Sequence, residues 1–366
     1  MEEWKDYKIG DICSKVCSGG TPSSKHTEYY DGNIPWLNIK EINFNRIFCT
    51  EKCITEEGLK NSSAKWIEEN SVIVAMYGAT AGKTAIAKIP LTTNQACCNL
   101  TINHSVADYR FVYYYLSYKF IELASLANGG AQQNLNAQII KDFEINLPSL
   151  HEQELIANVL SSLDDKIEVN RRINDNLEIQ AFEIFEHLFP DIFRGENKIG
   201  DIIIPKRGKG LLSKNAVDGN VPVVAGGINP ATYHNTSNTE PPVLTIAASG
   251  ANAGFVNLWN IPVWCSDSSY IDSSMTPNVY FWYVLLKRRQ KEIFDAQVGS
   301  AQPHIYPKHI AEMPIGYFNR AEVERFVEIV KPMFDMIGNN KEENKSLSSM
   351  RDTLLPLLMS GKLEVK

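Results

Sequence analysis

Residues 149–188 decide the fold of this chain and read SLHEQELIANVLSSLDDKIEVNRRINDNLEIQAFEIFEHL. Mostly apolar residues recur here at alternating spacings of four and three, which is the pattern of a coiled-coil seam. The seam positions are Ile156, Leu160, Leu163, Ile167, Asn170, Asn174, Leu177, Ala181, Ile184 and Leu188. Ser149 and Glu152 form the Ser-x-x-Glu pattern that begins many helices. At 1.5 Å per residue, roughly five heptads predict a helix on the order of 55 Å long.

The same pattern returns in the last part of the chain, so we expect a second long helix of matching length. Asn319 takes the place of Ser149 as the helix cap, and Glu322 takes the place of Glu152. The second seam consists of Phe326, Val330, Met333, Ile337, Asn340, Asn344, Leu347, Arg351, Leu354 and Leu358. Helices of this length cannot fold back into their own domains.

Asparagines occupy the same two layers of both seams, and buried asparagine is a known device for fixing register. An antiparallel pair would let these asparagines face each other while apolar residues meet along most of the seam. The only mismatch in this register is Leu163 opposite Arg351. The alternative is two amphipathic helices that each pack on their own domain. The facing pairs of the predicted antiparallel coiled coil are Asn170 with Asn344 and Asn174 with Asn340.

The remainder of the chain repeats too, in the same order in both halves. Short β-branched runs between Gly, Pro and Asn residues predict strands and turns, and residues 109–118 and 279–287 predict an aromatic helix in each half. We therefore expect an α/β or α+β fold with two globular domains, related by a pseudo-two-fold axis and separated by the two helices. The expected boundaries are a first globule at 1–148, a helix at 149–190, a second globule at 191–318 and a helix at 319–366.

Composition excludes several classes of protein. The 366 residues are 44% hydrophobic and 22% charged, as in an ordinary soluble protein of about two domains. No apolar run approaches the roughly 18 residues of a membrane span, and the first residues lack the basic and apolar blocks of a signal peptide. Seven cysteines, an odd number, suit a reducing compartment. We expect a cytoplasmic protein without membrane contact.

The net charge of −7 is unevenly distributed. Residues 150–197 carry four basic and eleven acidic residues, and so account for a charge of −7 by themselves. A phosphate backbone would repel such a helix, whereas a protein partner would not. Basic clusters lie instead in the second globule, at residues 206–209 and 287–291.

The sequence contains no complete motif for catalysis or metal binding among those considered below. Residues 78–84 resemble a phosphate-binding loop, but they place three residues between the glycines where that loop needs four. Residues 13–17 and 49–53 each carry a Cys-x3-Cys spacing, which differs from the usual zinc spacing and is missing from the other half. Histidines show no spacing relation to a Ser or Cys nucleophile. We expect no catalytic residue and no metal.

Several segments resemble the specificity (S) subunit of type I restriction-modification systems. They are residues 18–23 (SGGTPS), 34–37 (IPWL), 77–83, 93–95 (TNQ) and 147–167. The resemblance implies two target recognition domains, each reading half of a bipartite site in double-stranded DNA, and helices that act as a ruler. It also implies docking of two methyltransferase (M) subunits, which bind S-adenosylmethionine and methylate adenine, and of a motor-nuclease (R) subunit. This chain would then bind no cofactor itself.

Candidate DNA-contacting residues are polar residues of loops, although any one of them could be an ordinary solvated side chain. Those that follow the Gly129-Gly130 pair, and their repeat counterparts, are favoured because Gln and Asn can make two hydrogen bonds to adenine. They are Gln132, Gln133, Asn134, Gln302 and His304. The weaker candidates are Thr21, Ser23, Ser24, Lys25, Lys83, Lys206, Arg207 and Lys209. Two alternatives stay open: a coiled-coil scaffold that binds no DNA, and a phosphate-binding enzyme that uses residues 78–84.

Overall fold

The structure is a computed structural model that describes residues 4–127, 134–299 and 302–365. The chain divides into two compact units, one of residues 1–166 and 347–366 and one of residues 167–346. These boundaries differ from the expected ones because they cut through both long helices. Each long helix contributes one end to each unit.

The first unit is a mixed α+β globule. Its main sheet has the strand order β2-β10-β7-β8-β4, and a second sheet has the order β5-β3-β9-β6, while β1 pairs with β11. The strands are β1 Lys5–Lys8, β2 Cys13–Ser18, β3 Tyr30–Leu37, β4 Asn45–Ile47, β5 Lys52–Ile54, β6 Trp66–Ile67, β7 Val72–Ala75, β8 Thr84–Ala87, β9 Leu91–Thr93, β10 Cys97–Ile102 and β11 Glu144–Leu147. The helices are α1 Glu56–Lys60, α2 Tyr109–Tyr118, α3 Phe120–Ser125, α4 Ala137–Asp142 and the start of α5 Leu150–Leu188.

The second unit repeats this plan with shorter connections. Its main sheet has the order β13-β19-β16-β17, a smaller sheet has the order β15-β14-β18, and β12 pairs with β20. The strands are β12 Asn197–Lys198, β13 Lys206–Arg207, β14 Val221–Val224, β15 Thr232–His234, β16 Val243–Ala247, β17 Val256–Trp259, β18 Trp264–Cys265, β19 Ser268–Asp272 and β20 Pro314–Ile315. The helices are α6 Val279–Arg288, α7 Gln290–Asp295, α8 Pro307–Ala311 and the start of α9 Arg320–Met359.

The aromatic helices α2 and α6 lie at equivalent places in the two units and are core elements. Phe111 and Phe281, which match in the repeat, are both almost completely buried. Each helix packs on the main sheet of its unit and buries its aromatic face in that unit's core. The two predicted aromatic helices are confirmed.

Both predicted long helices are present, with caps where the sequence places them. The Ser149 hydroxyl accepts a hydrogen bond from the Glu152 N–H at 3.3 Å, and the Asn319 side chain accepts one from the Ala321 N–H at 2.9 Å. Helix α9 ends at Met359, before the end of the expected range, because Gly361 adopts a left-handed conformation with φ of 66°. Among the described residues, no helix is both long enough and apolar enough to span a membrane.

Within the second unit, α5 and α9 meet in antiparallel fashion through the asparagine layers. The Asn170 amide donates to Asn344 Oδ1 at 2.9 Å, and the Asn340 amide donates to Asn174 Oδ1 at 2.8 Å. Residue numbers rise on one helix as they fall on the other, so the direction is antiparallel. The Asn170 amide also donates to Glu343 at 2.7 Å.

The helices also pack on the globules, so the amphipathic alternative holds in part. Ala181 and Phe185 of α5 and Phe326 of α9 all belong to the core of the second unit. In the first unit, Leu160 of α5 and Leu358 of α9 share the core with the aromatic helix. Each core therefore takes in one end of each long helix.

Asn170→Ala should lower stability by about 1 to 3 kcal/mol, because it removes a buried amide and its hydrogen bonds to Asn344 and Glu343. Asn170 is only 1% exposed. Urea unfolding followed by circular dichroism measures the change. The control is Asn176→Ala on the exposed face of α5, which should shift stability by less than about 0.5 kcal/mol. Equal effects of the two variants would contradict a structural role for the asparagine layer.

Candidate functional site

In the first unit, the loops that carry candidate residues meet at one end of the main sheet. Strand β2 ends at Ser18, which pairs with Cys98 at the beginning of β10. Cys97 of β10 in turn pairs with Ala75, the last residue of β7. The loops that follow β2 and β7 and the loop that precedes β10 therefore lie side by side. We call this edge the first loop face.

Most candidates of the first half lie on the first loop face. Thr21, Ser23, Ser24 and Lys25 are exposed in the loop after β2. The Thr21 hydroxyl hydrogen-bonds to the side chain of Gln95, which lies in the loop before β10. These residues, far apart in the sequence, thus share one surface.

Lys83 and Asn134 are more constrained than the other candidates. The Lys83 ammonium donates to Asn43 Oδ1 at 2.7 Å and lies 5.9 Å from the ring centre of Phe44, so these contacts hold the side chain within the unit. Asn134 forms an isolated β-bridge with Tyr77, which brings it to the loop after β7. Gln132 and Gln133 lie outside the described residues.

The second unit has an equivalent edge, which we call the second loop face. Lys206 and Arg207 form β13 and are exposed, and Lys209 follows in the next loop. The Arg207 guanidinium donates to Asp267 Oδ1 at 2.5 Å, and the Ser249 hydroxyl bonds to the same carboxylate. Asp267 therefore offsets part of the positive charge here.

Gln302 and His304 also reach the second loop face. Gln302 is exposed, and His304 forms β-bridges with Val298 and Ser249. The His304 ring stacks on Tyr306, with ring centres 5.9 Å apart and planes 11° from parallel. An imidazole held in this way presents its edge nitrogens in a fixed direction.

Main-chain hydrogen bonds build the two loop faces in the same way. Gly78 and Gly82 have positive φ, and so have their counterparts Gly250 and Gly254. The same turn forms in the half that lacks a lysine, which favours a shared structural turn over a nucleotide-binding loop. Three N–H to carbonyl bonds of the first unit have an equivalent in the second unit. Gly82 to Ala75 corresponds to Gly254 to Ala247, Leu135 to Met76 corresponds to Ile305 to Ala248, and Gly20 to Thr93 corresponds to Lys209 to Cys265.

Three side chains of the second basic cluster, at residues 287–291, make contacts within the second unit. Arg289 is 4% exposed and donates to Glu292 and to the carbonyl of Pro314. Arg288 pairs with Glu186 of α5. Lys287 lies 4.5 Å from the ring centre of Phe255, and burial lowers its pKa. Sequence alone could not separate this cluster from a binding surface, since the acidic partner Glu186 lies far away in the chain.

Cys98 and Cys265 are buried core residues, and Cys13 is partly buried. Burial raises the pKa of Cys13, Cys98 and Cys265 to about 12 in each case. A thiol is a nucleophile or a metal ligand only as the thiolate, and a raised pKa disfavours that form. Within the described part of the chain, no group of three or more His, Cys, Asp and Glu side chains is placed to hold a metal ion.

Alkylation should therefore separate the cysteines by burial. At pH 8, iodoacetamide should modify the exposed Cys49 in the folded protein, while Cys98 and Cys265 should react only after unfolding. Mass spectrometry of peptides from native and urea-treated protein gives the readout. Rapid native labelling of Cys265 would contradict the buried environment.

Gly208 should be required for the second loop face. A Cβ atom there would lie 2.4 Å from the carbonyl oxygen of Cys265, and backbone cannot easily move away. Gly208→Ala should cost about 1 to 3 kcal/mol of stability, measured by thermal unfolding. Gly210→Ala is the matched control, because a Cβ there meets nothing within 4 Å and should change stability by less than about 0.5 kcal/mol. An unchanged midpoint in Gly208→Ala would show that the loop is not packed in this way.

Comparison with known proteins agrees with this architecture. Residues 1–179 match the family described as the type I restriction modification DNA specificity domain. The specificity subunit of the type I restriction enzyme MjaIX of Methanocaldococcus jannaschii is 29% identical over all of this chain and 94% of its own length. A putative type I specificity subunit of Mycoplasma pneumoniae is 28% identical over 78% of this chain and 82% of its own length.

A solved structure gives the same fold. The crystal structure of the S subunit of a type I restriction-modification system from M. genitalium superposes with a TM-score of 0.59 at 23% sequence identity, over 97% of this chain and 96% of that one. Two globules with equivalent loop faces and two long helices that meet in antiparallel fashion define a two-module α+β protein. The first part of the chain thus matches the DNA specificity domain family, and the whole chain is similar to type I restriction-modification specificity subunits.

Proposed function

We propose that each globule reads one half of a bipartite DNA target and that α5 and α9 set the separation of the two halves. The observation that carries this proposal is the repeat of one loop face in both units, built from the same main-chain bonds. A protein with two equivalent but non-identical reading surfaces suits a target of two different half-sites. The chain would recognise DNA and leave catalysis to other subunits.

The chemistry of the loop faces supports direct contact with DNA. Exposed amides such as Gln302 can bind base edges in the major groove, and exposed cations such as Lys25 and Lys209 can bind phosphates. The two faces differ at equivalent positions, with Gln95 on the first and Asp267 on the second. They would accordingly read different bases.

The helices suit protein partners. The segment 150–197 carries the excess of acid, which disfavours phosphate contact. In the second unit, Val169, Ile179 and Met336 are each about half exposed on the two helices. We propose that such surfaces dock two methyltransferase subunits, which would hold S-adenosylmethionine and methylate adenine, and that a motor-nuclease subunit completes the assembly.

The adenine methylome of cells that express this chain with its methyltransferase partner tests the proposal. A split motif should appear, should vanish when the chain is deleted, and should change in one half only when residues 191–318 are exchanged for those of a relative. An unchanged methylome with an active methyltransferase would favour the scaffold alternative, in which the globules bind no DNA.

Single substitutions should separate base contacts from phosphate contacts. With the chain in complex with its methyltransferase, Gln302→Ala should cost about 1 to 3 kcal/mol on the cognate duplex and relax one base of one half-site. Lys209→Ala should weaken all duplexes alike and reduce the salt dependence of binding. Fluorescence anisotropy over a salt series measures both effects. The control is Lys5→Ala, an exposed lysine of β1 outside the main sheet, which should leave binding unchanged.

A further inference from the structure

In the first unit, the carboxylate of Asp164 links the aromatic helix of the globule to both long helices. The Tyr114 hydroxyl of α2 donates to Asp164 Oδ2 at 2.5 Å, and Arg351 of α9 donates to Asp164 Oδ1 at 2.7 Å. Asp164 itself belongs to α5, and its side chain is only 13% exposed. Both of its oxygens are therefore engaged, one by the globule and one by the partner helix.

These bonds correct one expectation from the sequence. The antiparallel register left Arg351 opposite Leu163, as a mismatch in the seam. In the structure, the guanidinium of Arg351 forms an ion pair with Asp164, the residue next to Leu163. Tyr114 could not be linked to this pair from the sequence, because the three residues lie on separate elements.

Packing at this junction is incomplete. A cavity of about 250 Å³ lies beside the three residues, and its walls also include Phe44, Ser117 and Leu355. An open junction of this kind does not fix an orientation by shape alone, because side chains have space to move. Directional hydrogen bonds therefore add to the packing of Leu160 and Leu358 in the core.

The equivalent junction of the second unit is closed by aromatic packing. The repeat counterparts of Asp164 and Arg351 are Phe334 and Ala181, and both are almost completely buried. Phe334 stacks on Tyr280 with ring centres 5.0 Å apart and meets Tyr283 edge-on at 5.5 Å. Two hydrogen bonds add to this packing, because the Tyr280 hydroxyl donates to Asp335 of α9 at 3.0 Å and the Tyr283 hydroxyl donates to Glu178 of α5. The second unit thus uses two separate carboxylates, whereas in the first unit the single carboxylate of Asp164 serves both the aromatic helix and the other long helix.

We propose that Tyr114, Asp164 and Arg351 are positioning residues that set the angle of the first globule on the helices, and thereby the permitted gap between the two half-sites. This inference rests on the proposed function. The polar network holds the angle because each bond has a preferred length and direction. Burial and the neighbouring Asp164 raise the pKa of Tyr114, so its hydroxyl stays protonated and remains a donor.

The test is Tyr114→Phe, which removes the hydroxyl and keeps the ring. We expect unchanged bases in both half-sites, and about tenfold more methylation at sites whose gap is one base pair longer or shorter, the discrimination expected of one charge-assisted hydrogen bond. Asp164→Asn, which keeps the volume, should have the same effect. Tyr118→Phe is the control, because Tyr118 lies on the exposed face of the same helix.

The gap distribution distinguishes positioning from a merely structural role. Purified complexes of each variant with the methyltransferase should also be titrated with duplexes whose gaps differ by one base pair, after thermal unfolding has verified folding. A reduced level of methylation or binding with an unchanged gap preference would overturn the inference and leave the proposed function intact. A wild-type chain that directs no split motif would overturn both.

Discussion

The structure depends on the apolar seams of α5 and α9, which no single globule can cover along their full length. A helix of 39 or 40 residues is far longer than the face that a globule of this size offers. Each helix must bury one end of its seam in the unit that precedes it and the other end in the opposite unit. Each unit consequently builds part of its core from both long helices.

The antiparallel direction is observed within the second unit, where the asparagine layers of α5 and α9 meet. The asparagine layers make this arrangement specific, since their amides find partners in one register and would be left unpaired in shifted ones. A seam of leucine alone would permit several registers of similar energy.

The long helices and the repeat could be predicted because both produce periodic patterns in the sequence. The caps at Ser149 and Asn319 are local patterns, and the glycines of the equivalent turns mark positions of positive φ that other residues avoid. The candidate residues at 21–25 and 206–209 were recognisable as polar segments, although the place of each group on the loop face of its own unit depends on strand order. The sequence could not predict contacts between residues that lie far apart in the chain. Such contacts form only in the folded protein, and they join Asp267 to Arg207, Glu186 to Arg288, and Tyr114 to Asp164.

The two loop faces are held by peptide groups and glycines, with few demands on the side chains that project from them. Pairs such as Gly82 to Ala75 and Gly254 to Ala247 use only N–H and carbonyl groups, which every residue except proline supplies. Side chains at the rim can therefore change without loss of the turn that presents them, as the contrast between Gln95 and Asp267 illustrates. The architecture separates the part of the protein that must stay constant from the part that is free to diversify.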